Sequence, residues 1–172
     1  MRCGEKWSNV GLRGRYSILH ASEPGATDPM FYGEYEHSID EKHRLTLPAR
    51  FRHSLSGGVV LARGIERNID VYASDTWHER MARIAELDSL SREAREMKRY
   101  VFAGAAVAEL DAQGRVLVPT HLAEHASIEK EVVVIGVHDH CEIWDRAAWA
   151  AHLESIEGSA GDVAERLADK RG

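Results

Sequence analysis

From Phe31 onward, short segments in which apolar and polar residues alternate are separated by segments with helical spacing. The alternation is clearest at 44–47, where Leu45 and Leu47 flank a polar residue, and such alternation is typical of a half-buried β-strand. The same reasoning predicts further strands at 35–39, 59–62, 69–73, 105–110, 116–118, 132–137 and 142–144.

Apolar residues at helical spacing predict helices between these groups of strands. Trp77, Met81 and Ile84 indicate a helix from about Thr76, capped by Ser74 or Asp75, that continues toward residue 102 with a break at 88–91. Two short helices are expected at 49–54 and 120–125, since each follows a proline, which suits the start of a helix. A last helix is predicted from Asp145 to about Glu157, followed by a polar tail.

The second half of the chain repeats the first. Residues 35–52 read YEHSIDEKHRLTLPARFR and residues 109–122 read ELDAQGRVLVPTHL, so both contain Asp-x-x-x-Arg before an apolar-x-apolar-Pro segment. The matched pairs, 71 positions apart, are Asp40 with Asp111, Arg44 with Arg115 and Pro48 with Pro119. With one inserted residue, Gly64 matches Gly136 and Trp77 matches Trp149. A repeated supersecondary unit predicts one pseudo-symmetric fold.

Composition narrows the class of protein. The chain has 172 residues, 44% hydrophobic and 29% charged, as in ordinary globular proteins of one domain or two small ones. No apolar run approaches the ~20 residues of a membrane helix, and no secretory signal is recognisable. Cys3 and Cys141 form no CxxC pair, which favours a reducing cytoplasm and excludes a disulfide framework. The net charge of -6 excludes a chain that is basic throughout but allows a local basic patch.

The repeated turn carries the candidate chemistry. Asp and Arg four positions apart across a tight turn can form a charge-assisted pair, so Asp40 and Asp111 are expected to stabilise their turns. Arg44 should lie on the solvent side of its strand, where an arginine suits phosphate contact and guanine recognition. Four basic residues cluster in the first repeat: Lys42, Arg44, Arg50 and Arg52. A solvated helix face is the alternative interpretation of the last two.

These motifs resemble the MraZ family of bacterial transcriptional regulators. The residues that carry the resemblance are MFxG at 30–33, IDxKxRLxxPxxFR at 39–52, DxxGRVxxP at 111–119, EIWxxxxW at 142–149 and GDxxERL at 161–167. Together they span about residues 30–170. One departure is His43, since the family usually has glycine there, as this chain has at Gly114.

The resemblance implies a β-rich α+β fold, a pseudo-two-fold swapped-hairpin AbrB-like barrel built from two internal repeats with flanking helices. We expect a first repeat at 30–102, a second at 103–157 and a tail at 158–172. Residues 1–29 are interpreted as a flexible extension, or as a segment upstream of a native start at Met30. The resemblance further implies a cytoplasmic, nucleoid-associated ring homo-oligomer that binds direct repeats in double-stranded promoter DNA of the division and cell-wall gene cluster. Lys42 and Arg44 would lead the DNA contact, with Arg115 as a weaker candidate. We expect Arg50 and Arg52 to support that contact.

Three other interpretations stay open. His121–His125 spells H-x-x-E-H, a zinc-peptidase motif, although its helix is short and a further ligand is missing. His138–Cys141 contains four potential metal-ligand residues, but neighbouring side chains on a strand point in different directions. AbrB-like barrels also occur in antitoxins that bind a toxin and DNA. From the sequence we expect a protein that is not an enzyme and has no catalytic residue. We also expect no bound metal or cofactor, no small-molecule substrate and no membrane partner.

The aromatic residues of the two repeats have two interpretations. Tyr72, Trp77, Trp144 and Trp149 could form a platform on which nucleic-acid bases stack. Their positions at strand ends and in the following helices favour packing in the core or between subunits.

Overall fold

A computed structural model describes residues 31–170 of the chain. The predictions for residues 1–29 and for Cys3 therefore lie outside the described residues. The elements in chain order are β1 (Glu34–Ser38), β2 (Arg44–Thr46), α1 (Ala49–Arg52), β3 (Val59–Arg63), β4 (Ile69–Ala73), α2 (Ser74–Ala85), α3 (Arg92–Ala103), β5 (Ala106–Ala108), β6 (Arg115–Leu117), α4 (Thr120–His125), β7 (Glu131–Gly136), β8 (Cys141–Asp145) and α5 (Arg146–Asp169). No helix within residues 31–170 combines the length and the apolar composition that a membrane span requires.

Six strands form one antiparallel sheet in the order β1-β7-β8-β4-β3-β5, and β2 and β6 pair separately as a two-stranded ribbon. The first strand of each repeat therefore joins the hairpin of the other repeat, β1 against β7 and β5 against β3. The α+β fold is confirmed. The six-stranded sheet is open, with β1 and β5 as its edges, and does not show the closed barrel that the resemblance implied.

The repeat is visible as pairing between equivalent residues. Leu45 lies opposite Val116 in the ribbon, and Asp70 lies opposite Glu142 in the sheet. One predicted match is wrong by one position. Arg63 pairs with Ile69 and Gly136 pairs with Cys141, so Gly136 occupies the place of Arg63, not of Gly64. The loops before and after β7 differ in length from the corresponding loops around β3. Because both loops differ, a single inserted residue cannot align the two repeats along their whole length.

The main core lies between the ribbon and one face of the sheet. It draws fully buried side chains from both repeats, including Leu45, Phe51, Val116 and Leu122. On the other face of the sheet, Tyr72 packs against Trp77 of α2 and Trp144 packs against Trp149 of α5. The four aromatic residues are therefore core and helix-packing residues, as the sequence favoured.

Two predicted helix boundaries are wrong. Helix α5 runs to Asp169 rather than ending near Glu157, since two exposed glycines lower helix propensity without stopping a helix and no proline follows. Helix α2 begins at Ser74 with no side-chain cap. The backbone N–H of Ser74 is instead bonded to the carbonyl of Gly58, 3.1 Å away, so tertiary packing replaces the expected cap.

Candidate nucleic-acid interface

The first turn is built by Asp40. One carboxylate oxygen, Oδ1, accepts hydrogen bonds from the backbone N–H groups of Lys42 and Arg44, each at 2.9 Å. The other oxygen, Oδ2, accepts from Arg44 Nε at 2.9 Å and lies 2.7 Å from Nη2. The backbone closes the same turn, because His43 N–H donates to the Asp40 carbonyl. Asp40 therefore fixes both the turn and the direction of the arginine.

The second turn repeats this arrangement. Asp111 Oδ1 accepts from the N–H groups of Gln113 and Arg115, at 2.9 and 3.0 Å. Its Oδ2 accepts from Arg115 Nε at 2.7 Å and lies 2.6 Å from Nη2. The repeat in the sequence thus corresponds to two turns with the same hydrogen bonds, each ending in an arginine held by an aspartate.

The electrostatics of both turns follow from these contacts. The hydrogen bond from the Arg44 guanidinium holds the pKa of the Asp40 carboxyl at about 2, below its ordinary value of 3.8. The Arg115 guanidinium does the same for the pKa of Asp111, again at about 2. Both carboxyl groups are therefore ionised at neutral pH, and each arginine is one half of an ion pair.

Pairing of β2 with β6 gives the ribbon one buried and one outward face. Leu45 and Val116 face each other on the buried side. The outward side carries Arg44 opposite Leu117, and Thr46 opposite Arg115. We call these four residues the ribbon face. Arg44 and Arg115 are diagonal neighbours across it, a relationship that places Cα atoms roughly 7–8 Å apart.

Two residues of the ribbon face could not be assigned from the sequence. Thr46 and Leu117 carry no charge, and Leu117 looked like an ordinary strand residue. Its side chain is 57% exposed beside Arg44. Only the pairing register of β2 with β6 reveals this, because register decides which residues share a face.

The other basic candidates lie elsewhere. Arg50 is exposed on α1, where Nη1 donates to the hydroxyl of Tyr35 at 3.0 Å, and it lines a cavity of about 790 Å³ with residues of the β4–α2 junction. Arg52 is half-buried, and its Nε donates to the Leu47 carbonyl at 2.9 Å. The structure therefore does not bring these two arginines into the ribbon face.

Residues at the third position after each aspartate adopt the same unusual backbone conformation. His43 has φ 56° and Gly114 has φ 73°. A glycine enters this left-handed region freely, whereas a side chain is strained there, although histidine tolerates it better than most residues. The departure from glycine at His43 therefore leaves the hydrogen bonds of the turn unchanged.

The H-x-x-E-H segment is not assembled as a zinc site. His121 is exposed on the six-residue helix α4, while His125 Nε2 lies 3.1 Å from the Glu66 carbonyl oxygen. In the segment from His138 to Cys141, the four side chains do not converge on one point either, since Cys141 is fully buried in the main core. Within residues 31–170, the one group of three metal-ligand residues that converges is Asp70, His140 and Glu142.

Comparison with known proteins gives consistent matches along nearly the whole described chain. The family model "MraZ protein, putative antitoxin-like" matches twice, at residues 30–100 and 101–171. The protein "Transcriptional regulator MraZ" of Thermomicrobium roseum is 42% identical over 139 residues, which cover 81% of this chain and 98% of the relative. The proteins of the same name from Heliobacterium modesticaldum and Roseiflexus castenholzii are 43% and 42% identical, over 81% and 83% of this chain and 98% and 99% of the relatives.

Proposed function

Since the chain belongs to the MraZ family, we propose that it is a transcriptional regulator that binds promoter DNA through the ribbon face. The observation that carries this proposal is the placement of two aspartate-held arginines, Arg44 and Arg115, on one outward face of a two-stranded ribbon. The major groove of B-DNA admits such a ribbon, and arginine is the residue that most often reads guanine there. The regulator names of the relatives also confirm the prediction that the chain is not an enzyme.

The geometry suggests how each arginine contacts DNA. Nε and Nη2 face the aspartate, whereas Nη1 of Arg44 and of Arg115 makes no hydrogen bond within residues 31–170. The aspartate reduces the rotamer freedom of the guanidinium before DNA arrives, so less conformational entropy is lost on binding. Lys42 is exposed in the first turn and supplies a phosphate contact.

Arg50 and Arg52 have supporting roles in this proposal. Arg50 is exposed near α1, outside the ribbon face, and reaches phosphates flanking the site. Arg52 acts chiefly by supporting the second turn, since its side chain lies against Gly114 and its Nε is already bonded to the Leu47 carbonyl. The proposed DNA contacts are Arg44 and Lys42 first and Arg115 next. Arg50 and Arg52, which the sequence also placed among the DNA-binding residues, have these secondary roles.

A ring of several copies reconciles DNA binding with the net charge of -6. Each subunit of the proposed ring is a swapped-hairpin barrel, in which the first strand of each repeat pairs with the hairpin of the other repeat. A closed ring turns several ribbon faces toward DNA, so that each added contact is effectively intramolecular. Subunits related by rotation in a ring suit direct repeats in promoter DNA. The proposed target is the promoter of the division and cell-wall gene cluster. The proposed location is the cytoplasm, in association with the nucleoid.

The test is DNA binding by the wild type and by Arg44→Ala, Arg115→Ala and Arg92→Ala, measured by fluorescence anisotropy on DNA from upstream of the chain's own operon. Arg92 is the matched control, because it loses the same charge from helix α3, where it pairs with Glu96 with its side chain 80% exposed. Loss of a base-reading arginine costs about 1–3 kcal/mol, so Arg44→Ala and Arg115→Ala should weaken binding by roughly five- to 150-fold.

The control should bind like the wild type. If all three variants bound equally well, the ribbon face would not be the DNA contact. If the folded wild type failed to bind at low salt, where phosphate contacts are strongest, DNA regulation by this chain would be ruled out under these conditions.

A second candidate is an antitoxin, because the matching family model carries the words "antitoxin-like" in its description. An antitoxin would bind a toxin protein as well as DNA. Mass measurement of the native complex purified from its own host distinguishes the two: an antitoxin carries a second polypeptide in fixed ratio, whereas the regulator contains copies of this chain alone.

A further inference from the structure

Three potential metal ligands meet where the two repeats join in the sheet. Asp70 of β4 lies directly opposite Glu142 of β8, and His140 immediately precedes β8. One ligand atom from each of these residues lies within 4.8 Å of the other two. We call these residues the seam cluster. His140 is 6% exposed, and the side chain of Glu142 is 17% exposed, so the cluster is largely removed from water.

Each member of the seam cluster has one polar atom held by a neighbour. His140 Nδ1 lies 2.8 Å from Asp139 Oδ1, so that Nε2 faces Glu142 Oε1 at 3.5 Å. Trp144 Nε1 donates to Glu142 Oε2 at 2.7 Å.

The third ligand is held in the same manner. Asn68, which is 1% exposed, donates from Nδ2 to Asp70 Oδ1 at 2.7 Å. The imidazole thus has a carboxylate on Nδ1, and each carboxylate has a close donor on one oxygen. The other oxygen of Asp70, Oδ2, has the Tyr72 hydroxyl as a more distant donor, at 3.5 Å. Outer contacts of this kind orient the ligands of metal sites in proteins.

The charges of the buried groups are incompletely balanced. Asp139 pairs with Arg80, whose Nε lies 2.9 Å from Asp139 Oδ2. The two negative charges of Asp70 and Glu142 are therefore balanced by at most one positive charge, that of protonated His140. A divalent cation with a neutral imidazole balances both carboxylates. Burial of unbalanced charge is costly.

An ion can reach the seam cluster from solvent. Asp70 and Asp139 line an open cavity of about 1140 Å³ bounded by α2, α3 and β4. The ring of Tyr72 stacks on His140, with centroids 4.6 Å apart, and fixes the plane of the imidazole. The cavity therefore leads to one edge of the cluster, while the remaining surroundings hold the ligands in place.

We infer that Asp70, His140 and Glu142 bind one divalent transition-metal ion that joins the two repeats of the chain. One imidazole with two carboxylates suits Zn²⁺ or another first-row divalent ion, whereas Mg²⁺ and Ca²⁺ prefer oxygen ligands alone. The ion connects β4 of the first repeat with β8 of the second. Because it binds only the folded arrangement, it stabilises the native state by a free energy that rises with the logarithm of its concentration over its dissociation constant.

The test uses the full untagged chain, treated with chelator and exchanged into metal-free buffer. Zn²⁺ alone is titrated by calorimetry, bound metal is counted by mass spectrometry, and Tm is measured with and without Zn²⁺. We expect one Zn²⁺ per chain and a higher Tm in its presence. Asp70→Asn and Glu142→Gln, which keep side-chain shape, should each lower the affinity at least tenfold.

The matched control is the double variant His121→Gln/His125→Gln, which removes the H-x-x-E-H histidines and leaves the seam cluster intact. It should bind Zn²⁺ like the wild type. Circular dichroism verifies folding of every variant, and the wild-type stoichiometry is informative even if a variant unfolds. The inference is overturned if the folded wild type binds no Zn²⁺ at 100-fold molar excess, or if binding is lost in the control while Asp70→Asn and Glu142→Gln retain it.

Discussion

The side chain of Arg52, from the first repeat, lies directly over the backbone of Gly114, in the turn of the second repeat. A Cβ atom at Gly114 would overlap Arg52 Cδ and Nε, and Gly114 also has φ 73°. The equivalent turn residue of the first repeat is His43, and the helix residue equivalent to Arg52 is the small Ala123. The two turns and the two short helices therefore differ in a correlated way. The repeat pair with glycine in the turn has arginine in the helix, and the pair with histidine in the turn has alanine in the helix.

This relationship predicts that Gly114→Ala is destabilising. A side chain in the left-handed region costs about 1–2 kcal/mol, and displacement of Arg52 adds to that cost. Urea unfolding should show the loss as a lower midpoint at unchanged slope. The control is His43→Ala, which exchanges one side chain for another at the corresponding φ and should change the free energy of unfolding by less than Gly114→Ala.

Removal of the overlapping side chain separates the two causes. In the Gly114→Ala background, Arg52→Ala should cost less than the same change in the wild type, because it also relieves the overlap. Contacting residues couple in this manner in a double-mutant cycle. Strictly additive effects of the two substitutions would show that Arg52 does not press on the turn.

A second prediction concerns the pKa of Asp40. Its folded value, about 2, is below the ordinary 3.8 mainly because Arg44 donates to the carboxylate. The stabilisation from this contact is therefore present above pH 3.8 and is lost as the pH falls through 2. A pH titration of Arg44→Ala followed by carboxyl ¹³C NMR should show the pKa of Asp40 moving toward its ordinary value. Asp111 serves as an internal control, and its pKa should stay at about 2.

A third prediction distinguishes the two faces of the ribbon. Leu45 is fully buried, and Leu45→Ala should lower the free energy of unfolding by about 2–5 kcal/mol. Leu117, a leucine on the opposite face, is 57% exposed, and Leu117→Ala should change stability by less than about 0.5 kcal/mol. Denaturant unfolding of both variants measures the difference. Equal losses would contradict the face assignment on which the DNA proposal depends.

A fourth prediction concerns Cys141, which is fully buried in the main core. Burial raises the pKa of its thiol, and the thiolate is the reactive form. In a Cys3→Ser variant, where Cys141 is the single remaining cysteine, a thiol reagent at neutral pH should label the native chain negligibly. Addition of denaturant should give one labelled thiol per chain. Rapid labelling without denaturant would show that the core opens locally.

The turns could be predicted because their chemistry is local. Asp40 and Arg44 are four residues apart, and the aspartate bonds amides within its own turn, so the sequence contains nearly all the interacting groups. The strands of each repeat followed from periodicity, and the short helices from the preceding prolines, for the same reason. The repeat then indicated that the second turn has the same structure as the first.

The features of the site that could not be predicted depend on contacts between residues that are distant in the sequence. The place of Arg52 over Gly114 and the direction of Arg50 toward Tyr35 are set by tertiary packing, which the charges of these residues do not reveal. The seam cluster was missed because its ligands come from both repeats. Of its members, only His140 lay in a segment that looked ligand-rich, and that segment is divided between the cluster and the core.

A final prediction separates phosphate contact from base recognition in the first turn. Lys42→Ala should weaken binding about equally for matched and mismatched promoter DNA, and should reduce the slope of log Kobs against log salt by about 1, because one counterion fewer is released. Arg44→Ala should instead reduce the preference for matched DNA. Anisotropy titrations at four salt concentrations on both DNAs measure the two effects.

Lys98→Ala is the control, since Lys98 is on helix α3 with its Nζ 3.1 Å from Ser89 Oγ. The salt slope of this variant should equal that of the wild type. If Lys42→Ala changed the preference between the two DNAs as much as Arg44→Ala, the two residues would share one role, and the division between positioning and reading would be wrong.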